Sequence, residues 1–118
     1  MYRYYNANKN DFDIMDCTVR AISLVEGKSW DETYKKLSDL ARHEGLMMDS
    51  VEFIEDYLDK RYDRQCHYSK TVGEFIEEYP KGRYLITMQG HITACIDGVC
   101  YDTWNCLNRT MRCAWRKD

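Results

Sequence analysis

A histidine and an aspartate lie on the two arms of QGHITACIDGVCYDTWNC, which occupies residues 89–106. The Asp-Gly dipeptide at positions 97 and 98 separates two runs rich in apolar and β-branched residues, which is the pattern of a β-hairpin with a two-residue turn. Because side chains alternate between the faces of a strand, His91 and Asp102 lie on one face as diagonal neighbours, roughly 7–8 Å apart. The spacing therefore predicts a hydrogen bond between the imidazole and the carboxylate.

A nucleophile for this pair is offered by Cys17, in the run MDCTVRAISL. The helical periodicity of this run places Cys17 in the first turn of a helix, where unpaired backbone N–H groups and the macrodipole favour an anion. Such a position lowers the pKa of a thiol. A thiolate, an imidazole that accepts its proton and a carboxylate that orients the imidazole can together carry out acyl transfer. Cys17 and His91 are far apart in the sequence, and periodicity alone does not show that they meet.

The elements that must position these residues are helices first and strands afterwards. Four helix signals are present: a run from Asp16 to Gly27, a capping box of Ser29 and Glu32 with Gly45 after the helix, a similar pair in Asp49 and Glu52, and a third in Thr71 and Glu74 before Pro80. Strands are predicted over 84–88, 91–96, 99–104 and 111–115. The first fifteen residues have no such pattern and are expected to be irregular. This order favours an α+β fold with a small antiparallel sheet.

The order of the candidate residues resembles that of the papain-like cysteine peptidases. In that superfamily a cysteine starts the N-terminal helix, a strand carries the histidine, and a following strand usually carries Asn-Ser-Trp; here the matching run is Asp102-Thr103-Trp104. More narrowly, DCTVRAISL together with TVGEFIEEYPKGRYLITMQGHITACIDGVCYDTW is similar to small papain-fold proteins of phages, prophages and gut bacteria. The resemblance covers most of the chain from Asp16 onward. It implies a papain-like fold and a cysteine peptidase or related thiol acyl-hydrolase, with no metal or cofactor.

The resemblance also implies roles for the individual residues. Cys17 would attack the carbonyl carbon of a peptide or isopeptide bond, and His91 would accept its proton and later return it to the leaving amine. Asp102 would hold the imidazole tautomer and stabilise the imidazolium, as the carboxylate of a triad does. Trp104 would cover the His–Asp pair from solvent.

The oxyanion hole departs from the family pattern. Papain-like enzymes usually supply a Gln side chain a few residues before the cysteine, and this sequence has no Gln upstream of Cys17. Asn8 and Asn10 are the available substitutes, with the backbone N–H of Cys17 as the second donor. Loss of one such donor typically costs about 10²–10³ in rate.

Simpler interpretations exist for each residue. Cys17 could be a buried helix cysteine, Asp102 could cap the hairpin or pair with an arginine, and His91 could bond a backbone carbonyl; Trp104 could be a core residue. Asn8 and Asn10 could serve a turn. Two other functional hypotheses use the same fold: a catalytically silent protein that binds a partner, such as a phage accessory protein, and a transamidase or deamidase with the same triad.

Two rival sites are weaker. Cys66 and His67 are adjacent, and neighbouring side chains of an extended segment point to opposite faces. His43 ends the second predicted helix, where a cationic side chain complements the dipole without any chemistry.

Length and charge restrict the function class. The 118 residues suit a single domain, 1–118, with a net charge of −3. No basic stripe is present, which disfavours a nucleic-acid partner, and no apolar run is long enough to span a bilayer. The N-terminus is too polar for a signal peptide, so a cytoplasmic protein is expected. The expected partner is a protein or peptide substrate, and the ten tyrosines would also suit a protein-binding surface; the oligomeric state is left open.

Six cysteines are many for such a chain. In the cytosol they are expected to stay reduced, although Cys95 and Cys100 face each other across the predicted hairpin and could bridge under oxidation. A zinc site formed by Cys95, Cys100, Cys106 and Cys113 is disfavoured because none of the spacings is C-x-x-C.

Overall fold

The computed structural model describes residues 1–10 and 15–118. In this part of the chain the elements are β1 (Tyr2–Tyr4), α1 (Cys17–Glu26), α2 (Trp30–Glu44), α3 (Val51–Asp59), β2 (Asp63–Cys66), α4 (Val72–Glu78), β3 (Arg83–Met88), β4 (His91–Ile96), β5 (Val99–Asp102) and β6 (Met111–Lys117). The strands form one sheet in the order β1-β5-β4-β3-β6-β2. The pair β1–β5 is parallel and the other pairs are antiparallel. The α+β class expected from the sequence is confirmed.

Most helix boundaries follow the signals in the sequence. Gly27 ends α1 with a φ of 70°, a left-handed conformation that glycine adopts without the penalty of a Cβ. The Ser29 side chain accepts a hydrogen bond from the backbone N–H of Glu32 at the start of α2. Thr71 and Glu74 form a complete capping box at the start of α4, as predicted.

The start of α3 corrects one prediction. Its N-cap is Ser50, and the expected cap, Asp49, lies one residue too early. Ser50 is extended, with φ −76° and ψ 146°, and its hydroxyl accepts from the backbone N–H of Phe53. Both residue types are good N-caps, so the sequence pattern could not distinguish between the two adjacent positions.

The hairpin of β4 and β5 has the predicted turn. Asp97 and Gly98 both have positive φ, 49° and 79°, as a type I′ turn requires. Cys95 pairs with Cys100 in the predicted register. The second strand ends at Asp102, two residues earlier than predicted.

Two short strands differ from the sequence-based expectation. Tyr2–Tyr4, predicted to be irregular, pairs in parallel with β5, and its partner at Tyr4 is Asp102. Asp63–Cys66 pairs with β6 at the other edge of the sheet. The sheet therefore contains both parallel and antiparallel pairs. β1 precedes the helices, and β2 lies between α3 and α4.

The sheet has a hydrophobic cluster on each face. The cluster with α1, α2 and α3 includes the sheet residues Leu85, Ile92, Ala94, Cys113 and Trp115. The cluster with α4 includes the sheet residues Tyr84, Ile86, Met88, Cys95, Cys100, Met111 and Ala114. Strand β4, in the middle of the sheet, is therefore packed on both faces. His91 is its first residue, so its backbone is held firmly in place.

Four of the cysteines form disulfides, which differs from the expectation that the thiols are reduced. Cys66 is bonded to Cys113 and Cys95 to Cys100, with Cα–Cα distances of 4.0 Å and 4.1 Å. In each case antiparallel pairing places the two residues directly opposite each other. The first pair could not be foreseen because β2 was not predicted. These bonds also leave no thiols at Cys95, Cys100 and Cys113 for the zinc site considered above.

Among the described residues, no helix is both long enough and apolar enough to cross a membrane.

Candidate active site

Among the described residues, no side chain caps the N-terminus of α1. Asp16 is the N-cap residue, but its carboxylate makes no cap hydrogen bond. Instead, its two oxygens accept from Arg20 Nε at 2.9 Å, Trp30 Nε1 at 2.9 Å and Asn8 Nδ2 at 3.2 Å. The first turn, which begins with Cys17, therefore keeps the positive end of the helix dipole available to an anion.

The hydrogen bond predicted between His91 and Asp102 is present. His91 Nε2 lies 2.7 Å from Asp102 Oδ2, and the side chains are only 8% and 5% exposed. The other carboxylate oxygen, Oδ1, accepts from the backbone N–H of Thr103 at 2.7 Å. The carboxylate is thus fixed on both oxygens, and the imidazole presents its other nitrogen, Nδ1, away from Asp102.

Cys17 and His91 meet in the structure. α1 packs on β4, and the Cys17 thiol and the His91 imidazole line the same cleft. Burial would raise the pKa of Cys17, but the hydrogen bonds to His91 and to the backbone of Ile92 lower it below the ordinary thiol value, as do the charges of His91 and Arg20. A thiolate is therefore accessible at a lower pH than for an isolated cysteine.

The pKa of His91 is shifted in the opposite direction. Burial favours the neutral imidazole, but the hydrogen bonds to Asp102 and Cys17 and their negative charges raise its pKa to about 9. Burial likewise opposes ionisation of Asp102, yet hydrogen bonds from His91 and Thr93 and from the Thr103 backbone keep its pKa below the usual value. Together these shifts favour a thiolate–imidazolium pair supported by a carboxylate.

Trp104 lies over the imidazole. The ring centroids of His91 and Trp104 are 4.7 Å apart, and Trp104 is 38% exposed. The Arg109 guanidinium carbon lies 5.8 Å from the centroid of the indole, and Arg109 Nη2 donates to the carbonyl of Gln89 at 2.9 Å. Trp104 is therefore a partly exposed residue that shields His91, rather than a core residue.

A cleft of about 140 Å³ opens beside the thiol and the imidazole. Its lining is largely apolar, with charged groups among it: Met15, Cys17, Thr18, Asp49, Val51, Ile54, Glu55, Thr87, Met88, Gly90, His91, Ile92 and Arg112. The side chain of Val51 is 55% exposed and that of Met15 93% exposed, so apolar surface continues to the outside of the cleft.

The two asparagines named for the oxyanion hole make other contacts. Asn8 is 3% exposed, donates to Asp16, and accepts at Oδ1 from the backbone N–H of Asn10 at 3.1 Å. Asn10 Nδ2 donates to Asp31 at 3.1 Å. Neither is among the cleft-lining residues. Their hydrogen bonds serve to hold the segment before α1, and their proposed oxyanion role stays a prediction.

Sequence reasoning missed the place of two further residues in this site. Arg20 bonds Asp102 and Thr103, and Cys106 is a fully buried free thiol near the same carboxylate. The i to i+4 spacing of Asp16 and Arg20 was a usable signal for an ion pair. The sequence pointed to Cys106 only as one of four possible zinc ligands, and no local pattern placed it beside Asp102.

A metal ion is a poor fit to this cluster. His91, Asp102 and Cys106 each offer one possible ligand atom within 4.8 Å of the others. The His91–Asp102 hydrogen bond already uses the imidazole nitrogen and carboxylate oxygen that face each other, and the Arg20 guanidinium lies 3.2 Å from Asp102 Oδ1. A cation would have to break the first contact and would be repelled by the second.

The rival pair of Cys66 and His67 does not form a thiol–imidazole site. Cys66 is in a disulfide, and His67 Nε2 lies 2.8 Å from Gln65 Oε1.

Comparisons of the chain with protein-family models, with curated proteins and with solved structures find no match. The family and the activity are therefore proposed below from the residues and the geometry of the site.

Proposed function

We propose that this chain is a papain-like cysteine peptidase, or a related thiol acyl-hydrolase, that cleaves a peptide or isopeptide bond. The observation that carries the proposal is that Cys17, at a helix N-terminus, lines one cleft with His91, whose imidazole is hydrogen-bonded to Asp102. Each of the three has a pKa shifted in the direction that its role requires.

The geometry supports a two-stage reaction. The Cys17 thiolate adds to the substrate carbonyl carbon, and the backbone N–H groups at the start of α1 would bind the resulting oxyanion. His91 then gives its proton to the leaving amine as the C–N bond breaks, which leaves a thioester on Cys17. Water, deprotonated by His91, attacks the thioester; the acid product leaves, and the thiolate and imidazolium are restored. Asp102 holds the imidazole throughout.

The cleft supports a substrate with an apolar side chain next to the scissile bond. Val51, Ile54 and Ile92 provide apolar walls close to Cys17 and His91, and burying an aliphatic side chain there would contribute roughly 1.5–3 kcal/mol. Charged residues at the cleft, such as Asp49 and Arg112, would bind polar parts of the same substrate.

Two related hypotheses predict different behaviour of Cys17. A silent binding protein of the same fold requires neither the position of Cys17 in a cleft nor a lowered pKa, whereas both are features of the site. A transamidase or deamidase would also form a thioester on Cys17, from an amide substrate. Competition between water and an added amine for this thioester separates hydrolysis from transfer.

The proposed compartment is the cytoplasm of the producing or phage-infected cell. The cysteines that form the two disulfides would be reduced in that environment. Backbone hydrogen bonds also join the strands that carry each pair, so we expect the strand pairing to survive reduction. Activity is therefore expected to persist in a reducing buffer, which also keeps Cys17 as a thiol.

The test is incubation of the reduced protein with a peptide library that varies the residue before the scissile bond, with products identified by mass spectrometry. We expect cleavage after or near apolar residues, no cleavage by Cys17→Ala, and retained cleavage by the matched control Cys106→Ala. An activated acyl ester supplied in parallel should leave a transient acyl group on Cys17 alone. Absence of both cleavage and acylation in the folded wild-type protein would contradict the proposal.

A further inference from the structure

Arg20 connects the element that carries the thiol with the strand that carries the carboxylate. Its Nε donates to Asp16 Oδ1 at 2.9 Å, within α1 and directly before Cys17. Its Nη1 donates to Asp102 Oδ1 at 3.2 Å and to Thr103 Oγ1 at 2.8 Å, at the end of β5. One guanidinium thus contacts both sides of the site at three oxygen atoms.

The surroundings make these contacts strong. The Arg20 side chain is 14% exposed, and the side chains of Asp16 and Asp102 are 6% and 5% exposed. Charge-assisted hydrogen bonds in such a setting are screened far less than surface ion pairs, and the planar guanidinium fixes the relative orientation of the groups that it contacts. Removal of the arginine would leave two largely buried carboxylates without their shared cation.

Arg20 and His91 bind different oxygens of the Asp102 carboxylate, which helps to hold the His–Asp pair. Arg20 binds Asp102 Oδ1, and His91 binds Oδ2. A carboxylate held at one oxygen by arginine cannot rotate that oxygen toward the imidazole, so the other oxygen keeps its contact with His91 Nε2. At the other end, Asp16 is anchored by Trp30 and Asn8, which makes the helix end a rigid reference point.

From these contacts we propose that Arg20 is a positioning residue, which fixes the start of α1 against the end of β5 and thereby sets the distance between the Cys17 thiol and the His91 imidazole. This inference rests on the proposed function, since it assigns a role within the same site. Arg20 does not touch the reacting atoms; it acts through Asp16 and Asp102. The positive charge also favours the Cys17 thiolate.

The consequence for the reaction is that Arg20 should affect the chemical step more than substrate binding. A displacement of about 1 Å between nucleophile and base can cost on the order of 10²-fold in rate. Arg20 is not among the residues that line the cleft, so the binding of the substrate side chains should change little. A large fall in kcat with a small change in KM is the expected signature.

The experiment compares Arg20→Met, Arg20→Lys and the matched control Arg64→Met. Arg64 also bridges two carboxylates, Asp59 and Glu55, and its described contacts include none of the three catalytic side chains; because Glu55 lines the cleft, this variant serves as the control for kcat and the alkylation midpoint and not for KM. Two quantities are measured for each: kcat and KM with the best peptide, and the pH midpoint of Cys17 alkylation by iodoacetamide, resolved by mass spectrometry.

We expect Arg20→Met to lower kcat on the order of 10²-fold, to change KM by less than about threefold, and to raise the alkylation midpoint toward the ordinary value of about 8.5. Compared with Arg20→Met, Arg20→Lys keeps the positive charge, so its alkylation midpoint should lie closer to the wild-type value. Its kcat should recover less, because one ammonium group cannot make the several hydrogen bonds of the planar guanidinium. Arg64→Met should leave kcat and the alkylation midpoint close to wild type.

Thr103→Val provides a milder variant in case Arg20→Met fails to fold. It removes one of the three contacts of Arg20 and should lower kcat several-fold without a change in KM. If folded Arg20→Met keeps both the wild-type kcat and the wild-type midpoint, or if Arg64→Met produces the same losses, the positioning role is wrong. An ordinary Cys17 midpoint in the wild type would instead overturn the proposed function itself, so the two failures are distinguishable.

Discussion

Cys17 and Cys106 are both free thiols close to the His91–Asp102 pair, but their surroundings differ in three respects. Cys17 lies at a helix N-terminus, contacts the imidazole and borders a cleft. Cys106 follows β5, is fully buried in the cluster with α4, and lies near the carboxylate. The pKa of Cys17 is lowered, whereas burial and the charge of Asp102 raise the pKa of Cys106 to about 11.

The difference teaches that proximity to a catalytic pair does not by itself activate a thiol. What matters is which member of the pair the sulfur faces. An imidazolium stabilises a thiolate and a carboxylate opposes it, and the helix N-terminus adds to the first effect. A buried thiol with a raised pKa is inert toward electrophiles, and Cys106 therefore serves as an internal reference for Cys17.

The largest expected effect separates the two cysteines directly. Cys17→Ala should lower kcat on the order of 10⁴–10⁶-fold, because the nucleophile of a covalent mechanism is lost. Cys106→Ala should leave kcat within a few-fold and lower the free energy of unfolding by about 1 kcal/mol, as the loss of a buried group does. Peptide cleavage assays and urea unfolding measure the two quantities. Equal losses of activity in the two variants would remove the distinction.

His91→Ala should make the two thiols more alike. Without the imidazole, the alkylation midpoint of Cys17 should rise toward about 8.5, while Cys106 should stay unreactive in the folded protein. The measurement is the alkylation rate of each cysteine against pH, resolved by peptide mass. A Cys17 midpoint that is unchanged by the substitution would show that no thiolate–imidazolium pair exists.

The pH dependence of activity should have two limbs. The low-pH limb rises as Cys17 ionises, at a pH below that of an ordinary thiol, and the high-pH limb falls near pH 9 as His91 loses its proton. Asp102→Asn removes a negative charge from His91 and should move the high-pH limb to lower pH. The profile of kcat/KM for the wild type and this variant is the measurement. A high-pH limb in the same place would show that Asp102 does not raise the pKa of His91.

The free energy of unfolding should also depend on the titration of His91. The folded-state pKa of His91 is raised, so its contribution to stability is complete below the unfolded value of about 6.5 and is lost as the pH rises to about 9. Urea unfolding of Cys17→Ala and of the Cys17→Ala, His91→Gln double variant between pH 6 and pH 10 isolates the part of this term that comes from Asp102, because Cys17 is itself one of the groups that raise the pKa of His91. The difference between the two proteins should shrink at a pH above about 6.5 and below 9, and a difference independent of pH would contradict the shift.

The smallest expected effect concerns Trp104. Trp104→Ala removes the ring that covers His91 and should lower kcat by less than about tenfold, with a loss of roughly 0.5–1.5 kcal/mol in unfolding free energy from the aromatic contact. Steady-state kinetics and urea unfolding measure these changes. Leu107→Ala, a partly buried neighbour in the α4 cluster, is a suitable control for unspecific loosening near Cys106. A larger fall in kcat for Leu107→Ala than for Trp104→Ala would argue against a covering role.

The parts of the site that the sequence predicted are those with local signals. The Asp97-Gly98 turn determined the register of the hairpin, and the register determined that His91 and Asp102 share a face. Helical periodicity likewise placed Cys17 in the first turn of a helix, and in the structure it is the first residue of α1. These signals depend on backbone conformations that few residue types support, which is why they can be recognised without the tertiary structure.

The parts that were missed depend on tertiary pairing. The strand sequence YRY is too short for its alternation to be distinctive, and DRQC shows no alternation of apolar and polar residues; both strands lie at the edges of the sheet and leave several side chains exposed. Arg20 looks like an ordinary solvated helix residue until β5 is brought beside α1. The contact between Cys17 and His91 arises in the same way, from the packing of α1 on β4, and no local pattern encodes it.

The parallel pairing of β1 with β5 has a consequence for biosynthesis. β1 pairs with residues 100–102, so the backbone around Asp102 is braced on that side only after β5 has also been synthesised, long after β1. Such long-range closure is slow compared with the formation of local helices and hairpins. If the proposed function holds, Cys17 is synthesised before the carboxylate that supports its reaction, and a nascent chain would carry little hydrolytic activity until β1 and β5 have paired.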